Sequence, residues 1–110
     1  MFLLAVSVTA AAQDDIQSAN TSRNLGKDKW EWTVFIRASP TVLKNIACVE
    51  YKLPSTLPKP NRRICAVGKT SQPFAISGSG WGTFDIPILV TFKKGPSRYL
   101  KHRLTFAKGD

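Results

Sequence analysis

Short segments of the chain alternate apolar and polar residues with a period of two. The alternation is clearest over residues 83–92, where one face carries Phe84, Ile86, Ile88, Val90 and Phe92. It also runs over residues 30–37, where one face carries Trp30, Trp32, Val34 and Ile36. A period of two is typical of a half-buried β-strand, so both segments are predicted to be strands. Pro87 falls on the other face and marks an edge or a bulge at that point.

Four further segments complete a pattern of short strands separated by turns. Residues 46–53 place Val49, Tyr51 and Leu53 on one face, residues 98–106 form the last predicted strand, and shorter candidates cover residues 62–67 and 74–77. Turn residues lie at 38–41, 68–71 and 93–97, and three prolines within residues 54–60 predict a stiff loop. No segment has a helical period of useful length. The chain is therefore predicted to be all-β, an immunoglobulin-like antiparallel β-sandwich of about seven or eight strands.

The first 29 residues lack this alternation. An apolar run over residues 2–8 precedes Ala10, Ala11 and Ala12, which is typical of a secretory signal cleaved after Ala12. The alternative is an amphiphilic disordered leader. Residues 13–29 are polar and predict a linker, so the sandwich is assigned to residues 30–107. The protein is expected to be exported, as a periplasmic, secreted or membrane-tethered form.

Charge adds a possible class of partner without changing the predicted fold. The 110 residues, a usual size for one domain, include sixteen Lys and Arg against seven Asp and Glu, which gives a net charge of +9. Such a surface attracts anions over roughly 8–10 Å at physiological salt. One function hypothesis is therefore a basic domain that binds an anionic polymer, nucleic acid or a lipid surface. A merely solvated basic surface is the alternative.

The residues that could carry chemistry are few and scattered. Cys48 and Cys65 would suit one disulfide in an exported domain. Strand phase, however, places Cys48 on the polar face with Glu50, so free thiols are slightly favoured. His102 lies among Leu residues on a strand face and is interpreted as a satisfied boundary residue. With no paired carboxylates, phosphate loop or metal-ligand spacing, we expect no enzyme activity, no cofactor and no metal.

Several short motifs between Trp32 and Phe106 occur together in a fixed order. They read WTVFIR at 32–37, LPSTLPKPNR at 53–62, PF at 73–74, GWGTF at 80–84, PILVTF at 87–92 and LKHRL at 100–104. In order and spacing they resemble the YEATS domain, in its prokaryotic branch. This resemblance implies an immunoglobulin-like sandwich, in agreement with the strand pattern.

The resemblance also implies a binding site. YEATS domains hold acylated lysine between two loops, which correspond here to residues 54–60 and 78–82, by sandwiching the flat acyl amide between aromatic rings. Trp81 matches one aromatic wall, Gly80 and Gly82 allow close backbone approach, and Thr56 supplies the hydroxyl. Ser55 and Leu57 complete the predicted set, with Leu57 in place of the second aromatic and Pro54 in place of the family's histidine. The alternative role for Trp81 is a plug of the core.

These observations predict a non-catalytic binding module. It is expected to contact a protein or peptide, or a small modified group of the acyl-lysine kind, through the two loops.

Overall fold

The chain folds into two antiparallel sheets, which confirms the predicted all-β sandwich. The computed structural model describes residues 16–106. Its elements are β1 (Ile16–Gly26), β2 (Lys29–Ala38), α1 (Pro40–Asn45), β3 (Ile46–Lys52), β4 (Asn61–Ile64), β5 (Ile76–Gly80), β6 (Asp85–Phe92) and β7 (Arg98–Arg103). One sheet has the order β1-β2-β5 and the other β4-β3-β6-β7. The predicted leader at residues 1–12, with its cleavage point, lies outside the described residues.

The core is built from the alternating positions of the inner strands. Val34 and Ile36 of β2, Val49 of β3, and Ile86 and Val90 of β6 have no solvent-exposed surface. Each buried side chain of this size contributes about 1.5–3 kcal/mol relative to exposure. Phe84, predicted to belong to the same core face, is half-buried and packs against the cluster from its margin.

Residues 16–26 form a strand, so the linker predicted over residues 13–29 is wrong from Ile16 onward. β1 pairs with β2 from Ile16↔Ala38 to Gly26↔Lys29. Its side chains are mostly exposed or half-buried, and only Ile16 is buried. β1 is the edge strand of its sheet, held by its backbone ladder with β2 and by contacts such as the exposed Arg23–Glu31 ion pair. A strand held in this way needs no apolar face along its length.

A short helix replaces the turn predicted at residues 38–41. Ser39 is the N-cap of α1, and its Oγ accepts a hydrogen bond of 3.2 Å from the backbone N–H of Val42. Pro40 opens the first turn, where its missing N–H removes no helical bond. Val42 is buried, so the helix caps one part of the core.

Cys48 and Cys65 form a disulfide, so the preference for free thiols is wrong. β3 pairs with β4 at Val49↔Ile64, which places the two cysteines in adjacent positions with Cα atoms 4.1 Å apart. The pairing of β3 with β6 shifts register between Ile46 and Cys48, and Cys48 is buried. A bond that closes 17 residues stabilises a domain by about 3 kcal/mol. The closed segment contains the proline loop at residues 54–60.

Pro87 lies where β6 has a single neighbour, as its position in the sequence indicated. β6 is an inner strand of its sheet, but its pairing with β3 reaches only to Ile88, while Pro87 pairs with Lys101 of β7. The missing backbone donor of proline therefore removes no bond from the β3 ladder.

His102 of β7 joins the two sheets through side chains of β1. Its Nδ1 lies 2.8 Å from Ser18 Oγ, and its Nε2 lies 2.7 Å from Asn20 Oδ1. The amide nitrogen of Asn20 donates to the carbonyl of Thr105, so Oδ1 faces the ring as an acceptor. Burial lowers the pKa of His102 below its usual value, which favours the neutral ring. The interpretation of His102 as a satisfied boundary residue is confirmed.

Within residues 16–106, no helix is long and apolar enough to cross a membrane. The same residues contain no group of three or more His, Cys, Asp or Glu side chains that could hold a metal ion.

A buried hydroxyl fixes the segment that leads into β5. Tyr51 is 1% exposed, and its hydroxyl donates a 2.5 Å hydrogen bond to the carbonyl of Phe74. Phe74 is itself buried and has a φ of 52°, a left-handed conformation that a bulky residue rarely adopts. Burial raises the pKa of Tyr51, so the hydroxyl remains a donor across the physiological range. Phe74 N also donates to the carbonyl of Val67 at 2.9 Å, so both backbone polar groups of Phe74 are hydrogen-bonded.

We expect Tyr51→Phe to lower the free energy of unfolding by about 1–3 kcal/mol, because the buried carbonyl of Phe74 loses its donor. Denaturant unfolding measures the change. The matched control is Tyr99→Phe, since Tyr99 is 78% exposed and its change should stay within about 0.5 kcal/mol. Equal stability of the two variants would contradict the role assigned to the Tyr51 hydroxyl.

Candidate functional site

A cavity of about 240 Å³ opens at one end of the sandwich, hereafter the loop cavity. It lies where β3 ends and β6 begins, because these strands are antiparallel and Tyr51 pairs with Ile88. One side is formed by residues 54, 56 and 57 of the proline loop and the other by residues 79–84. Its lining consists of Trp32, Pro54, Thr56, Leu57, Ser79, Gly80, Trp81, Gly82, Thr83 and Phe84.

Two aromatic rings form the buried part of the loop cavity. Trp32 is 2% exposed and meets Phe84 edge-to-face, with ring centroids 6.0 Å apart and an interplanar angle of 82°. The indole of Trp32 lies over Gly78, its cross-strand partner in β5. A Cβ at Gly78 would lie 2.5 Å from Trp32 Cζ2, so a glycine is required there. These contacts give the cavity a fixed apolar floor.

Trp81 forms the exposed wall of the loop cavity. Its side chain is 66% exposed, which excludes the alternative of a core plug. The ammonium of Lys29, at the start of β2, lies 5.1 Å from the centroid of the Trp81 ring, within the range of a cation–π contact. A large apolar ring held at the surface is available for stacking.

The opposite wall belongs to a loop held at both ends by backbone hydrogen bonds. Leu53 N donates to the carbonyl of Pro60 at 2.7 Å, and Leu57 N donates to the carbonyl of Pro54 at 3.0 Å. The guanidinium of Arg62 donates to the carbonyl of Lys59 at 2.8 Å. Prolines fix further backbone angles, so the loop presents Thr56 and Leu57 in a defined place.

The structure brings together five of the six predicted site residues. Trp81, Gly80, Gly82, Thr56 and Leu57 line the loop cavity, whereas Ser55 is exposed in the same loop and does not line it. No atom lies within 4 Å of a Cβ built on Gly80 or Gly82, so both leave open space beside Trp81. The predicted loop at residues 78–82 is strand as far as Gly80.

Sequence reasoning missed the floor of the site. Trp32 and Phe84 were assigned to the core by their alternation, and Pro54 was noted only as a departure from the family pattern. Each nevertheless lines the cavity. For Trp32 the available signal was its place at the start of the YEATS-like opening motif. Alternation alone does not distinguish a core residue from the floor of a pocket.

Comparison with known proteins settles the family. The sequence model of the prokaryotic YEATS domain matches residues 30–105. The chain belongs to this family. The YEATS resemblance of its motifs is thereby confirmed, and the loop cavity of this YEATS domain lies between the two loops that the resemblance indicated.

Individual relatives agree with this assignment. The chain is 35% identical over 85 residues to the AF-9 homolog protein of Candida glabrata, covering 66% of this chain but only 36% of that protein. The solved Yaf9 YEATS domain recognizing an H3K122suc peptide is 29% identical, with a TM-score of 0.66 over 84% of this chain and 75% of that one. The Yaf9 YEATS domain bound to H3K27ac is 30% identical, with a TM-score of 0.65 over 82% and 73%.

Two glycines of β5 test the geometry of the floor. We expect Gly78→Ala to lower the free energy of unfolding by about 1–3 kcal/mol, because its methyl group overlaps the Trp32 indole. Gly80→Ala, two residues along the same strand, meets open space and should change stability by less than about 1 kcal/mol. Denaturant unfolding compares the two variants. A tolerated Gly78→Ala would mean that Trp32 does not lie over Gly78.

Proposed function

We propose that this YEATS domain is a non-catalytic binding module that takes an acylated lysine side chain of a protein or peptide into the loop cavity. The observation that carries this proposal is the exposed Trp81 ring beside a buried aromatic floor. The cavity of about 240 Å³ is smaller than the roughly 300–1,000 Å³ of pockets for drug-sized ligands. This size suits a short acyl amide at the end of a flexible side chain.

The lining residues supply the interactions that a flat amide needs. The amide plane stacks on the Trp81 indole, and the Thr56 hydroxyl and the strand backbone take its hydrogen bonds. Gly80 and Gly82 leave room for the ligand to approach the backbone. Leu57 covers the other side of the amide without a π face, so stacking in this site is one-sided. The Yaf9 structures with H3K122suc and H3K27ac support this class of ligand.

Charge restricts the peptide around the acylated lysine. The chain carries a net charge of +9, and Lys29 lies beside Trp81 at the mouth of the cavity. A strongly basic peptide is repelled by this surface, whereas a neutral or acidic one is attracted. We therefore propose a partner whose acylated lysine lies in a neutral or acidic sequence.

Binding of a short acyl-lysine peptide tests the proposal. We expect a neutral peptide with acetyl- or succinyl-lysine to bind, and its unmodified lysine form to bind at least tenfold more weakly. Trp81→Ala should weaken binding of the acylated peptide at least tenfold relative to the unchanged protein. It should lower the free energy of unfolding by no more than about 1 kcal/mol, because the ring is largely exposed. Calorimetric titration measures the affinities. Thr56→Val, which keeps the side-chain shape, should weaken binding through loss of the hydroxyl.

Tyr99→Ala is the matched control, because Tyr99 is an exposed aromatic residue that does not line the loop cavity. Undiminished binding by folded Trp81→Ala would contradict the proposal. A steep loss of acyl-peptide affinity with salt would instead favour the rival hypothesis of a basic domain that binds anions through spread charge.

We also propose that the protein acts outside the cytoplasm. The Cys48–Cys65 disulfide supports this location, since such bonds persist in oxidising compartments and are rare in the cytosol.

The redox state in the native host tests the location. We expect the protein to be recovered from the envelope or the medium with both cysteines blocked to a thiol reagent until a reductant is added. Fractionation followed by thiol labelling measures this. Recovery of a reduced, labelled protein in the cytosol would contradict the proposed location.

A further inference from the structure

The outer face of the four-stranded sheet carries a second concave surface of about 410 Å³, hereafter the outer trough. It runs across β4, β3, β6 and β7 and shares no lining residue with the loop cavity. The register places Glu50 between Arg63 and Leu89, and Leu89 beside Tyr99. These four side chains form one row across the sheet.

The β6–β7 side of the outer trough is apolar although it faces solvent. Tyr99 is 78% exposed, the largest exposed fraction among the large hydrophobic residues of the described chain. Its direct partner Leu89 is half-buried, and Pro87, two residues before Leu89, is exposed. Ordinary outward faces of antiparallel sheets are polar. Three neighbouring apolar side chains on such a face offer a contact surface for an apolar side chain of another molecule.

Cations border these three side chains on both sides. Lys52 and Arg63 are exposed on β3 and β4, and Lys101 is exposed on β7 beside Pro87. Lys101 is 4.0 Å from Asp85, an exposed pair that is worth little in water. Glu50 is the acidic residue of the trough lining, where Lys52, Arg62 and Arg63 are basic. This local excess of positive charge is part of the +9 of the whole chain.

We propose that the outer trough binds an extended acidic segment of a partner protein. Carboxylates of the segment pair with Lys52 and Arg63, and one apolar or aromatic side chain packs on Leu89, Pro87 and Tyr99. An acidic peptide combines both requirements, because it carries isolated charges between side chains that can be apolar. The site is separate from the loop cavity, so the proposal does not rest on acyl-lysine binding.

A nucleic acid fits the outer trough less well. A nucleic acid carries a phosphate at every nucleotide, so a backbone along the row cannot avoid Glu50, whereas a peptide can place an uncharged residue beside it. Tyr99 offers one exposed ring, whereas proteins that bind single strands stack successive bases on several aromatic residues. Leu89 and Pro87 are apolar, so they contribute nothing to binding of a sugar–phosphate backbone.

A labelled peptide of sequence Glu-Asp-Phe-Glu-Asp-Leu, blocked at both ends, is the probe, and fluorescence anisotropy with the full chain is the measurement. We expect binding that is lost when its acids are replaced by amides and weakened at least tenfold when its Phe is replaced by Ala. Tyr99→Ala and Lys52→Glu should each reduce affinity at least tenfold. Both positions are exposed, and a melting curve confirms that each variant is folded.

Lys69→Glu is the matched control, since it changes the net charge as Lys52→Glu does but lies outside the outer trough. Lys69→Glu should change the affinity for the acidic peptide by less than twofold. An equal loss with Lys69→Glu, or no measurable binding of the peptide, would overturn the proposal. Tighter binding of a single-stranded oligonucleotide of equal charge would also overturn it and assign the surface to nucleic acid. Trp81→Ala should leave acidic-peptide affinity unchanged, so the two sites fail or succeed independently.

Discussion

The contact between the Trp32 indole and Gly78 is the constraint on which the sandwich and its site both depend. Because the indole occupies the space where a side chain of β5 would lie, it fixes which residues of β2 and β5 face each other. The same ring reaches the core on one side and meets Phe84 on the other. The floor of the loop cavity is therefore part of the close-packed core of the domain.

The two tryptophans of the site, Trp32 in the floor and Trp81 in the wall, have separate physical roles. Trp32 is dehydrated in the folded protein, so a ligand gains shape complementarity from it at no further desolvation. Trp81 is largely hydrated, so covering it with a ligand removes apolar surface from water and supplies driving force. In this pocket the buried ring defines the shape, and the exposed ring supplies most of the affinity. Leu57 helps to define the shape and contributes little to the affinity.

The sequence predicted the strands whose side chains are sorted by burial, and it failed where pairing or local geometry decided the structure. Residues 30–36 and 86–92 alternate because the core lies on one side of each strand. β1 has no such pattern, since it is held by the backbone ladder with β2. Strand phase placed Cys48 on the face of Glu50, where it lies, but the alternation within one strand cannot show that the β3–β4 pairing brings Cys65 beside it. Trp81 was recognised as a site residue from its motif with flanking glycines. Trp32 was not, because its ring belongs to both the core and the site.

The closed proline loop has a consequence for how such a protein can vary. Its two ends are joined by the hydrogen bond between Leu53 and Pro60, by the β3–β4 ladder and by the Cys48–Cys65 bond. Leu57 packs against the margin of the core, whereas Ser55, Thr56 and Pro58 are exposed. Substitutions can therefore accumulate at these three exposed positions without unfolding the domain. Related proteins with this fold can therefore differ at these loop positions and bind different ligands, while the opposite wall, with Trp81, stays the same.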